Sequence, residues 1–355
     1  MDLEKIRQQI DEIDRDLIKA LNERLRLAGK IGELKRQTES DIYVPQREEE
    51  VFQKLLRINE GPLTEENVRA IYREIMSAAI ALEKRTVIAY LGPEATYTHQ
   101  AAMRKFGASL EYRPYSTIQD VFNAVEKGET DYGVVPVENS TEGAVIHSLD
   151  MLVESDLQIV AQVYLEIAHN LISPYPLKEI REVYSKDQAL WQCRRWLQMN
   201  LPHAELCEAS STARAVEMVK DKPGAAAIAG SLAAKIYNVP IVAENIQDKA
   251  DNITRFLIIG KESSGPVRNG ENRSSFVISV KHETGALQRA IAPFGKRGIN
   301  MTKIESRPSR KKVWDYVFFI DIVGHYEDPE VQEALAEIRE HCTLVKWLGS
   351  YPNVT

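Results

Sequence analysis

The residues best suited to chemistry lie in the run Asp251-Asn252-Ile253-Thr254-Arg255-Phe256-Leu257-Ile258-Ile259. An amide, a hydroxyl and a guanidinium, groups that donate protons and hold anions, lead straight into an apolar strand. Alone, such a run describes an edge strand with a solvated entry. Three further polar clusters accompany it: Gly92-Pro93-Glu94-Ala95-Thr96-Tyr97-Thr98-His99, Pro136-Val137-Glu138-Asn139-Ser140-Thr141-Glu142-Gly143 and Ser185-Lys186-Asp187-Gln188-Ala189-Leu190. Each falls at the end of a predicted strand or the start of a predicted helix. In open α/β sheets, strand-end turns of this kind converge on one crevice, where ligands bind.

A second set is cationic: Arg7, Arg24, Lys35 and Arg47, accompanied by Glu48 and Glu83. Apolar positions recur at 3, 6, 10, 13, 17, 20, 27, 31 and 34, which predicts one helix of about 35 residues. Arg24 occupies a place in that stripe, where a charge is costly unless paired or bound to an anion. An arginine snorkelling out beside the stripe is the alternative. At the helical rise, Arg24 and Lys35 share a face roughly 16 Å apart, whereas Arg7 is roughly 40 Å from Lys35. If Arg7 joins the same site, it comes from a second chain, and the heptads point independently to such a dimer.

The elements that must position these groups form three segments. The chain's 355 residues exceed what one hydrophobic core usually covers. With 44% hydrophobic and 27% charged residues it reads as soluble and globular. No apolar run approaches the roughly 20 residues of a membrane helix. The start, Met1-Asp2-Leu3-Glu4-Lys5, lacks the apolar core of a signal peptide and the basic character of a transit peptide, so the cytoplasm is the expected location. Cys193, Cys207 and Cys342 are scattered and odd in number, against a disulfide framework or a metal site. A net charge of −7 without a basic patch argues against nucleic acid as a partner.

Residues 1–85 read as three helices, the second starting at Pro45 and the third, capped by Thr64, running to Glu83. Residues 86–262 alternate: strands are predicted near 86–92, 110–114, 132–137, 158–168, 181–184, 204–208, 225–229, 240–242 and 255–260. Helices are predicted near 117–127, 143–153, 187–199, 210–220 and 230–237. This is a two-lobed α/β unit, periplasmic-binding-protein-like, with lobes joined by crossover strands. Residues 261–270 are polar and rich in breakers, a linker. Residues 271–355 follow the order β-α-β-β-α-β of an α+β ferredoxin-like sandwich.

The first segment resembles the all-helical chorismate mutase family. The match rests on Arg7 before Ile10-x-x-Ile13-Asp14, on Asn22-Glu23-Arg24, on Ile31-Gly32-x-x-Lys35 and on Pro45-x-Arg47-Glu48. The resemblance implies an intertwined dimer in which Arg7 visits the neighbouring site. Arg24, Lys35 and Arg47 then meet the substrate carboxylates, and Glu48 accepts the substrate hydroxyl. A pericyclic rearrangement needs no nucleophile or base, only cations set against a compact dianion. Where that family often has a Ser that helps bind a carboxylate, a Gln that donates to the substrate's ether oxygen and an Asp, this chain has Ala79, Glu83 and Val44, and the resemblance accommodates the last if that position contributes backbone alone.

The polar clusters, with Ser210-Ser211-Thr212-Ala213 as a fifth, resemble the prephenate dehydratase family in order. Tyr97-Thr98 stands where Phe-Ser is common there, and Lys186-Asp187 where His-Pro is frequent. That family expels carbon dioxide and the ring hydroxyl from prephenate to give phenylpyruvate. By resemblance, Thr254 is the hydroxyl beside the leaving group, Phe256 excludes water, and Arg255 holds the segment or an anion. Glu138, Asn139 and Gln188 are further catalytic candidates. Glu138 as the acid with Thr254 as its relay is one arrangement, and Thr254 acting directly is another.

In the last segment, Gly285-Ala286-Leu287 and Glu305-Ser306-Arg307-Pro308 resemble the phenylalanine-binding motifs of ACT domains attached to such dehydratases. The three resemblances together imply a bifunctional, phenylalanine-inhibited enzyme acting on chorismate and prephenate. They imply a homodimer or larger homo-oligomer, with no metal or organic cofactor. Removing residues 271–355 is then expected to leave a competent but insensitive enzyme. An amino-acid-sensing binding protein, and a dehydratase whose helical arm only dimerises, are the competing readings.

Overall fold

The computed structural model describes residues 2–37, 44–263, 265–267, 271–309 and 316–353. The predicted linker therefore lies partly outside the described residues.

The first segment is α1 (Leu3–Gln37), α2 (Pro45–Ile58) and α3 (Glu65–Glu83). Pro45 opens α2, where its missing N–H costs nothing. The Thr64 hydroxyl caps α3 by accepting the Asn67 N–H at 3.2 Å. α3 packs on α1 near Gly32, where an added Cβ would lie 2.8 Å from Cγ of Glu83. Much of the α1 stripe is uncovered: Leu3, Ile10, Ile13, Leu17, Leu27 and Leu34 are all more than half exposed.

The first lobe of the α/β unit holds β1 (Val87–Leu91), α4 (Tyr97–Phe106), β2 (Glu111–Tyr115), α5 (Ile118–Glu126), β3 (Tyr132–Asn139), β4 (Gly143–Ala144), α6 (Ile146–Glu154) and β5 (Gln158–Glu166). The second holds β6 (Asn170–Ile172), β7 (Glu182–Ser185), α7 (Asp187–Gln192), α8 (Arg194–Asn200), β8 (Glu205–Glu208), α9 (Thr212–Val219), β9 (Ala225–Ala229), α10 (Ser231–Tyr237) and β10 (Ile241–Ala243). The chain then returns to the first lobe as β11 (Ile253–Gly260). The sheet orders are β2-β1-β3-β11-β5, with β4 beside β3, and β10-β6-β9-β7-β8. Strand β9, Ala225-Ala226-Ala227-Ile228-Ala229, is wholly buried, and its small side chains let helices approach from both faces.

Two local expectations need correction. The helix predicted over 187–199 breaks at Cys193, because the Asp248 carboxylate accepts the N–H groups of Arg195 and Trp196 and starts α8 afresh. The helix predicted from 143 starts at Ile146, since Gly143 and Ala144 pair with β3 instead.

The last segment is β12 (Asn272–Val280), α11 (Ala286–Lys296), β13 (Met301–Pro308), β14 (Tyr316–Val323), α12 (Pro329–His341) and β15 (Cys342–Pro352), an antiparallel sheet in the order β13-β14-β12-β15. Helices α11 and α12 cover one face through Phe276, Phe294, Ile320 and Leu335. The other face does not close on itself. Val277, Val317, Phe319 and Leu348 share one core with Leu149, Leu257 and Ile259 of the first α/β lobe. At Gly349, with φ 139°, an added Cβ would overlap the Ile159 backbone, so β15 lies directly against β5.

Candidate active sites

Strands β3 and β11 run antiparallel with Asn139 opposite Thr254 and Glu138 opposite Arg255. Because strand side chains alternate, the first pair faces the crevice and the second faces away from it. Asn139 Nδ2 donates to Thr254 Oγ1 and to Asn252 Oδ1, each at 2.7 Å. The orientation of that amide is fixed from behind, since Asn139 Oδ1 accepts from both the N–H and the hydroxyl of Thr141 and from the N–H of Glu142. Phe256 follows Thr254 on the same strand and is 2% exposed, sealed against Ile88, Tyr90 and Val134.

From Asn252 the network crosses to the second lobe. Asn252 Nδ2 donates to Gln192 Oε1 at 3.0 Å, and the same oxygen lies 2.7 Å from Nε2 of His169. The Tyr97 hydroxyl lies 2.9 Å from Nδ1 of that ring and donates to the Ala168 carbonyl at 2.8 Å. Burial lowers the His169 pKa, so the ring is neutral near pH 7. Its Nε2–H donates to Gln192, whose oxygen has no proton to give, which leaves Nδ1 bare beside the Tyr97 hydroxyl, whose single proton it shares with the Ala168 carbonyl. Glu142 links the lobes a second time, accepting from Gln188 at 2.8 Å and Gln192 at 3.2 Å. A cavity of about 510 Å³ opens at this junction beside Thr141, Glu142, Gln192, Arg194, Lys249 and Asn252.

The structure bears on three expectations here. The relay from Glu138 to Thr254 is not formed. Glu138 points away from the crevice, and its Oε2 lies 2.7 Å from Lys303 Nζ on β13. Arg255 holds its segment, with Asp321 as the anion it meets. It is 5% exposed and binds Asp321 at 2.6 Å, Tyr351 at 2.7 Å and Gln162 at 3.0 Å. Although burial opposes its charge, the Tyr351 and Asp321 oxygens raise its pKa further. Gln188 reaches Glu142, while Gln192, one turn on, is the residue that joins the crevice network. Asn252 stands inside the chosen run and Gln192 was legible as a near neighbour of the Ser185–Leu190 cluster; His169 lies outside every motif.

In the helical segment, α3 brings Glu83 against Gly32, one turn before Lys35, and carries buried Ala79 one turn earlier. Arg24 and Lys35 are half-buried on α1, whereas Arg7 is exposed near its far end. Val44, extended at φ −126°, leads into α2. Arg47 is exposed and lies 3.3 Å from Glu50. Glu48 pairs with Lys105 on α4 of the α/β unit, so in this arrangement its carboxylate is occupied across a segment boundary.

In the last segment, Gly285 precedes α11 with φ 75°, a left-handed conformation that favours glycine, and Ala286 is buried with Leu287 half-buried beside it. Along edge strand β13, Glu305 and Arg307 lie on the half-buried face, and Ser306 and Pro308 on the exposed one. Arg307 is 3.5 Å from Asp150 on α6, so it meets the α/β unit in addition to any role beside Glu305. Among the described residues, no cluster of three or more His, Cys, Asp or Glu side chains is placed to hold a metal ion. Likewise among them, no helix is long and apolar enough to cross a membrane.

Two catalytic domains and a regulatory one are what this fold and these residues define. The family model of chorismate mutase type II matches residues 6–84, that of prephenate dehydratase 88–264, and that of the ACT domain 274–340. The chain is 48% identical over 356 residues to a bifunctional chorismate mutase/prephenate dehydratase of Aquifex aeolicus, covering 99% of this chain and 98% of that one. It is 42% identical to the like-named protein of Pseudomonas aeruginosa, covering 99% and 97%. A prephenate dehydratase of Arthrobacter aurescens, solved in complex with L-Phe, superposes with a TM-score of 0.70 at 31% identity, covering 76% of this chain and 90% of that one. The chain belongs to the family of bifunctional chorismate mutase/prephenate dehydratases.

Proposed function

We propose that the chain rearranges chorismate to prephenate in its helical segment and converts prephenate to phenylpyruvate in the crevice, under inhibition by phenylalanine. We divide it accordingly at 1–85, 86–262 and 271–355. The observation that carries the reading is the contact between Asn139 and Thr254. Thr254 accepts from the amide, and its own proton is left for the departing ring hydroxyl. The electron pair of the bond to the ring carboxylate moves through the ring as carbon dioxide leaves. The hydroxyl departs as water with a proton passed through Thr254, which regains one from solvent, so that prephenate and one solvent proton give phenylpyruvate, carbon dioxide and water. Phe256 keeps that end of the crevice dry, which favours loss of the carboxylate charge.

The exposed stripe of α1 supports a homodimer or larger assembly, since an apolar face of this length is buried by a second helix in coiled-coil-like packing. A second copy along α1 would bring its Arg7 toward Arg24 and Lys35, which a single straight helix keeps apart. Phenylalanine, the ligand of the Arthrobacter dehydratase, is the effector we assign to the Gly285 and Glu305 motifs. Chorismate and prephenate are small soluble dianions, and we place the enzyme in the cytoplasm.

Incubation of the purified protein with chorismate, following chorismate loss and phenylpyruvate formation, tests the reading. Both are expected. Phenylpyruvate from prephenate alone would leave a dehydratase with an inactive helical arm, and no product from either substrate would leave a sensor.

A further inference from the structure

We infer that Lys303 and Asp321 are positioning residues for the dehydratase site, and that the Lys303–Glu138 pair carries occupancy of the phenylalanine motifs to Asn139. The inference rests on the phenylalanine reading above. Glu138 and Arg255 are cross-strand partners on β3 and β11, and Lys303 and Asp321 are cross-strand partners on β13 and β14. The two pairs meet face to face with opposite charges, Lys303 at 2.7 Å from Glu138 and Asp321 at 2.6 Å from Arg255. Each residue gripped from the last segment is the immediate neighbour, on its own strand, of Asn139 or Thr254. Moving Glu138 or Arg255 therefore moves the backbone that aims the crevice side chains.

The two grips differ in what they can do. The Arg255 and Asp321 side chains are 6% and 8% exposed, and parting them strands two charges away from water. That pair is a fixed pivot. The Glu138 side chain keeps 39% exposure and that of Lys303 11%, so when the pair parts the carboxylate turns to water directly, whereas the ammonium reaches water only as edge strand β13 shifts outward. This is the contact that one state makes and another loses. Lys303 stands two residues from Glu305 on the same face of edge strand β13, with Arg307 and its partner Asp150 next along. An effector shifts an equilibrium only through contacts that differ between states. Displacement of β13 at Glu305 acts first on these.

The test uses the full chain as wild type, Lys303→Met and Lys303→Arg. Phenylalanine binding is measured by equilibrium dialysis, and dehydratase rate is compared at matched occupancy. Lys303→Met is expected to bind phenylalanine but to keep, as a fraction of its own uninhibited rate, roughly fivefold or more of the fraction that saturated wild type keeps. Lys303→Arg, which keeps the charge, is expected to restore inhibition. Inhibition of Lys303→Met to the wild-type extent at equal occupancy, loss of its phenylalanine binding, or failure of Lys303→Arg to restore inhibition would each overturn the inference. If wild type itself neither binds phenylalanine nor is inhibited, the phenylalanine reading fails first, and the two failures are told apart.

Discussion

The Asn139 amide donates to the Thr254 hydroxyl at 2.7 Å, across two strands whose next residues, Glu138 and Arg255, face the opposite way. The acceptor role falls to threonine, and its proton remains available to a substrate. Replacing Thr254 with Ala should lower dehydratase turnover about a hundredfold or more, as removal of one preorganised donor typically does. Chorismate should still disappear and prephenate accumulate. A folded variant that loses both activities would contradict two separate sites.

Gln192 and Gln188 lie on the same short helix yet have different duties. Gln192 contacts Asn252, His169 and Glu142, whereas Gln188 contacts Glu142. Gln192→Ala should cost the dehydratase about tenfold or more, by leaving Asn252 and His169 without their shared acceptor. Gln188→Ala should cost a few-fold at most, since Glu142 keeps one donor. Steady-state rates of the two variants with prephenate decide the ranking.

Asp321→Ala should destabilise the folded chain by about 3 kcal/mol or more, because Arg255 stays buried without its carboxylate. Deleting residues 271–355 acts differently, since it opens Arg255 to water but strips Val277, Phe319 and Leu348 from a shared core. The expectation of a competent, insensitive truncated enzyme is thereby revised to an insensitive enzyme of reduced stability. Urea midpoints of both variants, with dehydratase assays, check the pair.

Acid should weaken the fold through His99. Its ring stacks on Tyr90 at 4.4 Å, Nδ1 accepts the Ala95 N–H at 3.2 Å, and burial lowers its pKa from 6.5 to about 4. Between those values the unfolded chain binds the proton and the folded chain does not. Stability is therefore full above about pH 6.5 and is lost progressively as pH falls toward 4. His169, also lowered, adds to the same trend. The urea midpoint should fall between pH 7 and pH 5, and less so for His99→Gln.

By its resemblance to the chorismate mutase family, Glu83 stands where a Gln donates to the substrate's ether oxygen, and we propose a second pH dependence from it. An ether oxygen only accepts, so a carboxyl facing it must be protonated to donate. Mutase activity should rise as pH falls below 7, and Glu83→Gln should flatten the profile and raise the alkaline rate. Coincident profiles would remove Glu83 from the ether-donor role.

Much of this protein was readable from local pattern. The spacing of apolar residues marked α1 to its last turn, and Thr64 marked the start of α3. Alternation and turn residues located the sheets of both α/β lobes and the order of the last segment. These are periodic, short-range signals, set by backbone geometry over a few residues. Asn139 and Thr254 stood out because polar clusters recur at several strand ends, which in α/β sheets converge on one crevice. What sequence did not contain was facing. Glu138 and Asn139 are adjacent and equally polar, and it took the register of β3 on β11 to send one to the crevice and the other to Lys303. The break at Cys193 likewise depends on Asp248, and the charge of Arg255 on Asp321, each from more than fifty residues away. A residue's partner is decided by which surfaces dock. Docking sums many weak burials over distant segments, and no local window of sequence records that sum.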